Sequence, residues 1–100
     1  MPRIRQAVSF RKWLMRLDDR TAKARLVRRF ERLADGHSGD HRFLGAALFE
    51  LRADFGPGYR IYYTYRGDEL VVLLVGGDKA SQARDILRAR QMIGQMESTQ

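Results

Sequence analysis

The stretch ALFELRADFGPGYRIYYTYRGDELVVLLVGG, residues 47–77, decides the fold. Phe49, Leu51 and Ala53 alternate with Glu50, Arg52 and Asp54, the period of two expected of a strand with one covered face. Phe55-Gly56-Pro57-Gly58 breaks the alternation with turn residues. Tyr59 to Tyr65 is rich in aromatics and Leu70 to Val75 in β-branched residues and leucine, with Gly67-Asp68 between them as a compact hairpin signal. Pairing Tyr65 with Leu70 places Arg60 near Val75, with Tyr62 and Thr64 on the face of Arg60. Gly76-Gly77 then closes the strand. Three consecutive antiparallel strands follow from this reading.

Upstream the period changes. Ile4 to Val8 reads as a short opening strand, and Ser9 can cap a helix in which Phe10, Trp13, Leu14 and Leu17 form one apolar stripe. Asp18-Asp19 ends that pattern and can cap a second helix, near Arg20 to Asp35, with Ala22, Leu26, Phe30 and Leu33 on one face. A short connection makes the two an antiparallel hairpin. Gly36 ends the second helix, and His37-Ser38-Gly39-Asp40-His41 reads as a polar loop. Downstream, Asp78 or Ser81 can cap a last helix whose apolar side holds Ala83, Ile86, Leu87 and Ile93, with the tail after about residue 96 frayed. The order is β-α-α-β-β-β-α. It describes one α+β domain over residues 1–100, an antiparallel sheet packed against an N-terminal helical hairpin and a C-terminal helix.

Composition narrows the chemistry. One hundred residues suit a single core, and an apolar share of 44% is ordinary for a globular chain. The absence of cysteine excludes disulfides, thiolate metal sites and a cysteine nucleophile. The longest apolar run, Leu70 to Val75, is far too short to cross a membrane, and Met1-Pro2-Arg3-Ile4-Arg5 lacks a secretory apolar stretch. A cytoplasmic protein is expected. The net charge is +7, and 16 of the 19 cations are arginine. Residues 1–32 carry 11 basic and 3 acidic side chains. Arginine presents a planar fork of donors suited to phosphate, so a polyanion, or an acidic protein that masks the surface, is the expected partner.

No metal or cofactor is called for. His37 and His41 flank Asp40 in a glycine-containing loop, not on a regular helix face. Gly76-Gly77-Asp78-Lys79 lacks the Gly-x-x-x-x-Gly-Lys-Ser/Thr spacing of a phosphate-cradling loop. Two segments carry the remaining signal. In the first, Arg52 points away from the face of Phe49 and Leu51, and Arg60 interrupts an aromatic and apolar strand. An arginine on a sheet is costly to bury unless an anion meets it. That anion is either Glu50 or Asp54 in a structural bridge, or a phosphate with Arg52 beside it and a tyrosine close enough to stack a base. In the second, Gly76-Gly77-Asp78-Lys79 leads into the last helix. Its N-terminus and Lys79 can attract phosphate, or the segment is a plain strand-to-helix turn.

Glu50-Leu51-Arg52, Gly56-Pro57-Gly58-Tyr59-Arg60-Ile61-Tyr62-Tyr63, and Gly76-Gly77-Asp78-Lys79 followed by Gln82, Asp85 and Ile86 together resemble the RelE/ParE superfamily of toxins. The branch is similar to the phage-derived, HigB-like addiction module killer group. The resemblance runs from about Phe10 to Met96. It implies the toxin of a type II toxin–antitoxin pair, a metal-independent endoribonuclease that cuts mRNA on the ribosome by 2′-OH attack on the adjacent phosphate and so stops translation and growth. Carried over, Arg60 matches the family's phosphate-binding arginine, Lys79 its basic residue after the last strand, and Arg52 a basic position on the preceding strand. Tyr59, Tyr62, Arg28, Arg32 and Arg84 are the further residues expected to contact RNA, and the base is unassigned, with Lys79, Glu50 and Asp54 as candidates. Glu50 and Phe49 stand near where RelE itself has lysines, and Asp85 and Ile86 occupy the stretch of its C-terminal tyrosine. The implied partners are an antitoxin of helix-turn-helix type, the ribosome and mRNA, with DNA met only through the antitoxin. Two other activities fit the same fold: gyrase inhibition of the ParE type, and partner or nucleic-acid binding without toxicity.

Overall fold

The computed structural model describes residues 3–67 and 70–98. Its elements are β1 (Arg3–Gln6), α1 (Val8–Arg16), α2 (Arg20–Ala34), β2 (His41–Gly45), β3 (Leu48–Ala53), β4 (Tyr59–Arg66), β5 (Leu70–Asp78) and α3 (Gln82–Ser98). The five strands form one sheet in the order β1-β5-β4-β3-β2. The α+β class holds, with two corrections. The sheet is mixed, because β1 runs parallel to β5, and the chain has a further strand between α2 and β3, beginning at His41 where the expected polar loop ends.

The missed strand has a physical explanation. β2 and β3 are joined by Ala46-Ala47, both with positive φ (49° and 67°). A two-residue hairpin turn of this kind normally announces itself with Asn-Gly or Asp-Gly; alanine gives no such signal. The turn is held from outside instead. Thr64 Oγ1 donates to the Ala47 carbonyl (2.6 Å), and Arg90 reaches from α3 to the carbonyls of Leu44 and Gly45.

The helix boundaries follow local chemistry. Asp19 caps α2 by accepting from the Ala22 amide (3.0 Å), as the sequence indicates. Ser9 does not cap α1. Ala7 holds that position, and the Ser9 hydroxyl lies inside the helix, donating to the Leu74 carbonyl (2.9 Å). The opening strand is correspondingly shorter than expected and stops at Gln6. At the other end α3 continues through Ser98, beyond the expected frayed point; Thr99 and Gln100 lie outside the described residues, as does Asp68 of the β4–β5 turn.

Two apolar layers sandwich the sheet. On one face Phe10, Leu26, Phe30 and Leu33 of the α1–α2 hairpin pack on Leu51, Ile61, Tyr63 and Leu73. On the other, Ala89 and Ile93 of α3 pack on Leu48, Tyr62, Val72 and Leu74. The β4–β5 register differs from the simple hairpin: Arg66 pairs with Leu70, and an irregularity at Tyr62/Tyr63 lets Tyr62 face Val75 while Tyr63 faces Leu73. The extra residue, Leu74, and its neighbour Val75 therefore both join the α3-side layer. The one-residue shift at the turn and the one-residue irregularity together set Arg60 opposite Gly77, not near Val75.

Gly76 and Gly77 are required by packing. A Cβ on Gly76 would lie 2.2 Å from the Trp13 ring, and one on Gly77 would lie 1.9 Å from Asp85 Oδ2. The first glycine admits α1 to the sheet and the second admits α3. Two outcomes are expected in thermal or denaturant unfolding. Gly76→Ala should lose roughly 1–3 kcal/mol through overpacking against Trp13. Ala47→Gly should gain about 1 kcal/mol by relieving a left-handed alanine.

Candidate functional site

The site is built at the end of the sheet where β3 turns into β4. The turn closes with the Gly58 amide donating to the Phe55 carbonyl (3.1 Å), and Gly58 itself has φ +79°, a value that favours glycine. This geometry keeps the two strands in simple register, so Arg52 and Arg60 are direct cross-strand partners. Both point to the α3 face, together with Glu50 and Tyr62.

Arg60 is 1% exposed. Its Nη1 donates to the Tyr59 carbonyl (2.9 Å), and its Nε is buried without a hydrogen-bond partner. Among the described residues it forms no ion pair; the pairs there are Arg52 Nε–Glu50 Oε1 (3.7 Å) and Arg84 Nε–Asp85 Oδ1 (3.6 Å). The expected alternative, a bridge from Arg60 to Glu50 or Asp54, is not formed. Lys79 arrives from the far end of β5. Its stem crosses Gly58, where an added Cβ would meet Lys79 Cδ at 2.8 Å and Arg60 Nη1 at 3.7 Å. Arg52, Arg60 and Lys79, drawn from three separate stretches, thus share one end of the sheet, with Lys79 exposed and Arg52 partly so.

The other expected site residues are placed differently. Tyr59 and Tyr62 are core residues, not open stacking surfaces. Tyr59 is 7% exposed and packs edge-on against Trp13, while Tyr62 is fully buried under α3. The aromatic rings left open are Phe43 and Tyr65, which with Phe49 and Tyr63 make a ladder across β2, β3 and β4. The Phe43 end of that ladder belongs to the strand the sequence did not reveal. Glu50 is fully buried, its Oε2 accepting from Gln82 Nε2 (2.7 Å), so no substrate hydroxyl can reach it. Asp54 is exposed elsewhere, in a hollow of about 300 Å³ lined also by Arg25, Arg28, Arg29, Arg32 and Phe55. Arg28 and Arg32 therefore lie with α2, on the hairpin side of the sheet. Arg25 stacks over Phe55 (3.9 Å), and Arg29 is spent on the carbonyls of Arg52 and Asp40. Arg84 lines another basic hollow, with Arg16, Arg88 and Trp13.

The start of α3 is not an open phosphate site. Asp78 and Ser81 bond reciprocally: the Ser81 amide donates to Asp78 Oδ1 and the Asp78 amide donates to Ser81 Oγ, both at 3.1 Å. Ser81 Oγ also donates to the buried Asp85 carboxylate (2.5 Å). These acceptors already serve the helix terminus, and Gly77 is bare because Asp85 fills its space. Of that segment only Lys79 remains available to an anion. Among the described residues no group of three or more His, Cys, Asp or Glu side chains is placed to hold a metal ion, and no helix is long and apolar enough to cross a membrane.

Residues 12–93 match the family model described as "Phage derived protein Gp49-like (DUF891)". The chain belongs to this Gp49-like family. It is part of the RelE/ParE-like group of addiction module toxins, which fits the mixed sheet and three helices seen here. The chain is also 41% identical over 87 residues to an uncharacterized protein of Haemophilus influenzae, a match covering 87% of this chain and 88% of that one. Arg52, Arg60 and Lys79 all lie within the matched segment. The narrower likeness to HigB goes beyond the family match.

Buried tyrosines give this part of the sheet a pH signature. Burial, then the charge of Tyr65, pushes the Tyr63 hydroxyl up to about 12 from 10.0; burial, then the Glu50 carboxylate, raises Tyr62 well above its ordinary value. A tyrosine whose folded value is raised is stabilising below the unfolded value and loses that contribution as pH rises toward the folded value. Stability should therefore be flat up to pH about 10 and then fall, with Tyr63 alone contributing on the order of 2 kcal/mol by pH 12. Denaturant melts of wild type and Tyr63→Phe between pH 9 and 12 test this; an unchanged slope in the variant would remove Tyr63 as the cause.

Proposed function

We propose that this chain is the toxin of a toxin–antitoxin pair and that it cuts mRNA at the end of the sheet marked by Arg52, Arg60 and Lys79. The observation that carries the reading is Arg60: a buried guanidinium with no carboxylate partner, placed directly opposite a second arginine and beside a lysine. Glu50, the carboxylate beside the two guanidiniums, is paired with Arg52, which leaves this buried positive charge short of an anion. A phosphodiester supplies one, and three cations suit the extra negative charge that builds up as it reacts.

The chemistry needs no cofactor. The ribose 2′-oxygen attacks the adjacent phosphorus, the P–O5′ bond breaks, and a cyclic phosphate and a 5′-hydroxyl result. Arg52, which is partly exposed, meets the phosphate oxygens, while Arg60 adds its charge from within the sheet behind it, and together they lower the energy of the five-coordinate state. The Lys79 ammonium is the group on this chain placed to return a proton to the leaving O5′. With Glu50 sealed under α3 and Asp54 exposed elsewhere, the 2′-OH proton passes to solvent in the substrate complex. This chain therefore provides charge and positioning, and the ribosome presents the mRNA with its backbone bent for in-line attack.

The outer face of α2 supports the same reading. Its exposed arginines line two hollows that share Arg25 and Arg28 and run from Arg20 to Arg32. This track suits a ribosomal RNA backbone on the side of the sheet away from the cut. The antitoxin implied by the family covers one or both basic faces until it is removed.

Primer extension on mRNA from induced cells is the direct test. Wild type should create new 5′ ends within translated frames. Arg60→Met, which keeps the aliphatic stem without the charge, should lower cleavage at least about 100-fold with the fold retained. Lys79→Ala, at an exposed position, should cost about tenfold or more. Full cleavage by a folded Arg60→Met protein would remove Arg60 from the site. Altered DNA supercoiling with intact mRNA would point to gyrase inhibition instead.

A further inference from the structure

Arg52 and Arg60 face each other across the β3–β4 ladder, where like charges repel. Glu50 is the nearest negative charge on the same strands and face. It lies two residues before Arg52, opposite Tyr62 and diagonal to Arg60. Its carboxylate has three neighbours, Gln82, Arg52 and the hydroxyl of Tyr62 across the ladder. Oε2 accepts from Gln82 Nε2 (2.7 Å), so the first turn of α3 fixes its orientation. Oε1 faces Arg52 Nε at 3.7 Å, an ion-pair distance too long for a hydrogen bond. Around it, Glu50 Oε1, Arg52 Nε and Arg60 Nε are all buried without hydrogen bonds. The Tyr62 hydroxyl feels the charges of Glu50, Asp85 and Arg60, so these groups lie within electrostatic reach of one another. Arg60 is anchored at Nη1 by the Tyr59 carbonyl, but the two Nε donors and Glu50 Oε1 have no direct bonds and are balanced through charge, which makes the carboxylate the element that sets the spacing of the pair.

We propose that Glu50 is the positioning residue of the guanidinium pair: its buried carboxylate, anchored by Gln82, holds Arg52 and Arg60 at the spacing a reacting phosphate requires and takes no proton in the reaction. The inference rests on the nuclease reading above. It makes a distinctive demand. Removing a negative charge beside two arginines raises the local positive potential, so RNA should bind no more weakly; losing the carboxylate's hold lets the arginines separate, so the chemical step should slow. An acid–base role would behave otherwise, with a pH-dependent limb that disappears on substitution. A role in folding alone would leave the chemical step of the folded fraction untouched.

Single-turnover cleavage of mRNA in programmed ribosomes, using the full chain, separates these. Glu50→Gln should reduce the saturating rate about 10- to 100-fold, the scale of a misplacement near 1 Å. The half-saturating concentration should stay level or fall, and the pH–rate profile should keep its shape. Gln82→Leu, at a half-exposed position that leaves the core alone, should give the same split at several-fold size. A drop of roughly a thousandfold with loss of an acidic limb would identify Glu50 as the base and overturn the proposal. An unchanged saturating rate would overturn it too. With no RNA present, the Nε–H resonances of Arg52 and Arg60 should exchange slowly in wild type and faster in both variants. Absence of wild-type cleavage would end the nuclease reading, while this exchange measurement would still decide whether Glu50 holds the pair; equal exchange in all three proteins would show that it does not.

Discussion

Everything in this molecule depends on two adjacent residues having no side chains. Trp13 of α1 presses on one face of β5 at Gly76, and Asp85 of α3 presses on the other at Gly77. Both helical layers therefore reach the sheet at the same point, closer than any side chain would permit. The consequence is positional. The backbone that these helices grip is the strand opposite Arg60, and the chain leaves it through Asp78 to place Lys79 over Gly58. A close-packed contact thus fixes where a charge stands, because well-packed interiors transmit displacement instead of absorbing it.

The electrostatics follow the same division of labour. The surface carries many arginines, and several are tied to the scaffold: Arg29 to the carbonyls of Arg52 and Asp40, Arg90 to those of the β2–β3 turn, Arg25 to the ring of Phe55. Arg60 differs because it is buried, bonded to one backbone carbonyl, and free of any carboxylate among the described residues. In a basic chain the informative cation is the one that structure leaves uncompensated, not the region where cations are most numerous. Density of charge on α2 serves encounter and docking, which act over distances near the Debye length; chemistry needs charge at contact range.

Much of this was legible in the chain. The stripes of Phe10 to Leu17 and Ala22 to Leu33 gave both hairpin helices, Asp19 gave its cap, and the alternation around Leu51 gave β3. Other features left no trace. The turn at Ala46-Ala47 is stabilised by Thr64 and Arg90, residues 17 to 46 positions away, so local reading passed over β2. The parallel pairing of β1 is with β5, two helices and three strands later in the chain, and no pattern within four residues declares so distant a partner. Tyr59 and Tyr62 looked available for stacking because strand alternation distinguishes faces without saying which are covered. Here α1 covers one and α3 the other.

By itself the sequence determined the helical stripes, the tight turns, the excess of arginine and the residue types that a phosphate would meet, since each is written in spacing or composition over a few residues. Tertiary structure decided which of those cations face one another, which carboxylate is sealed from solvent and which aromatic rings stay open. The first depends on the β3–β4 register kept by the turn at Gly58, and the others on the way α1 and α3 cover the two faces of the sheet. Burial and register arise from contacts between distant segments, and a single strand read alone carries neither.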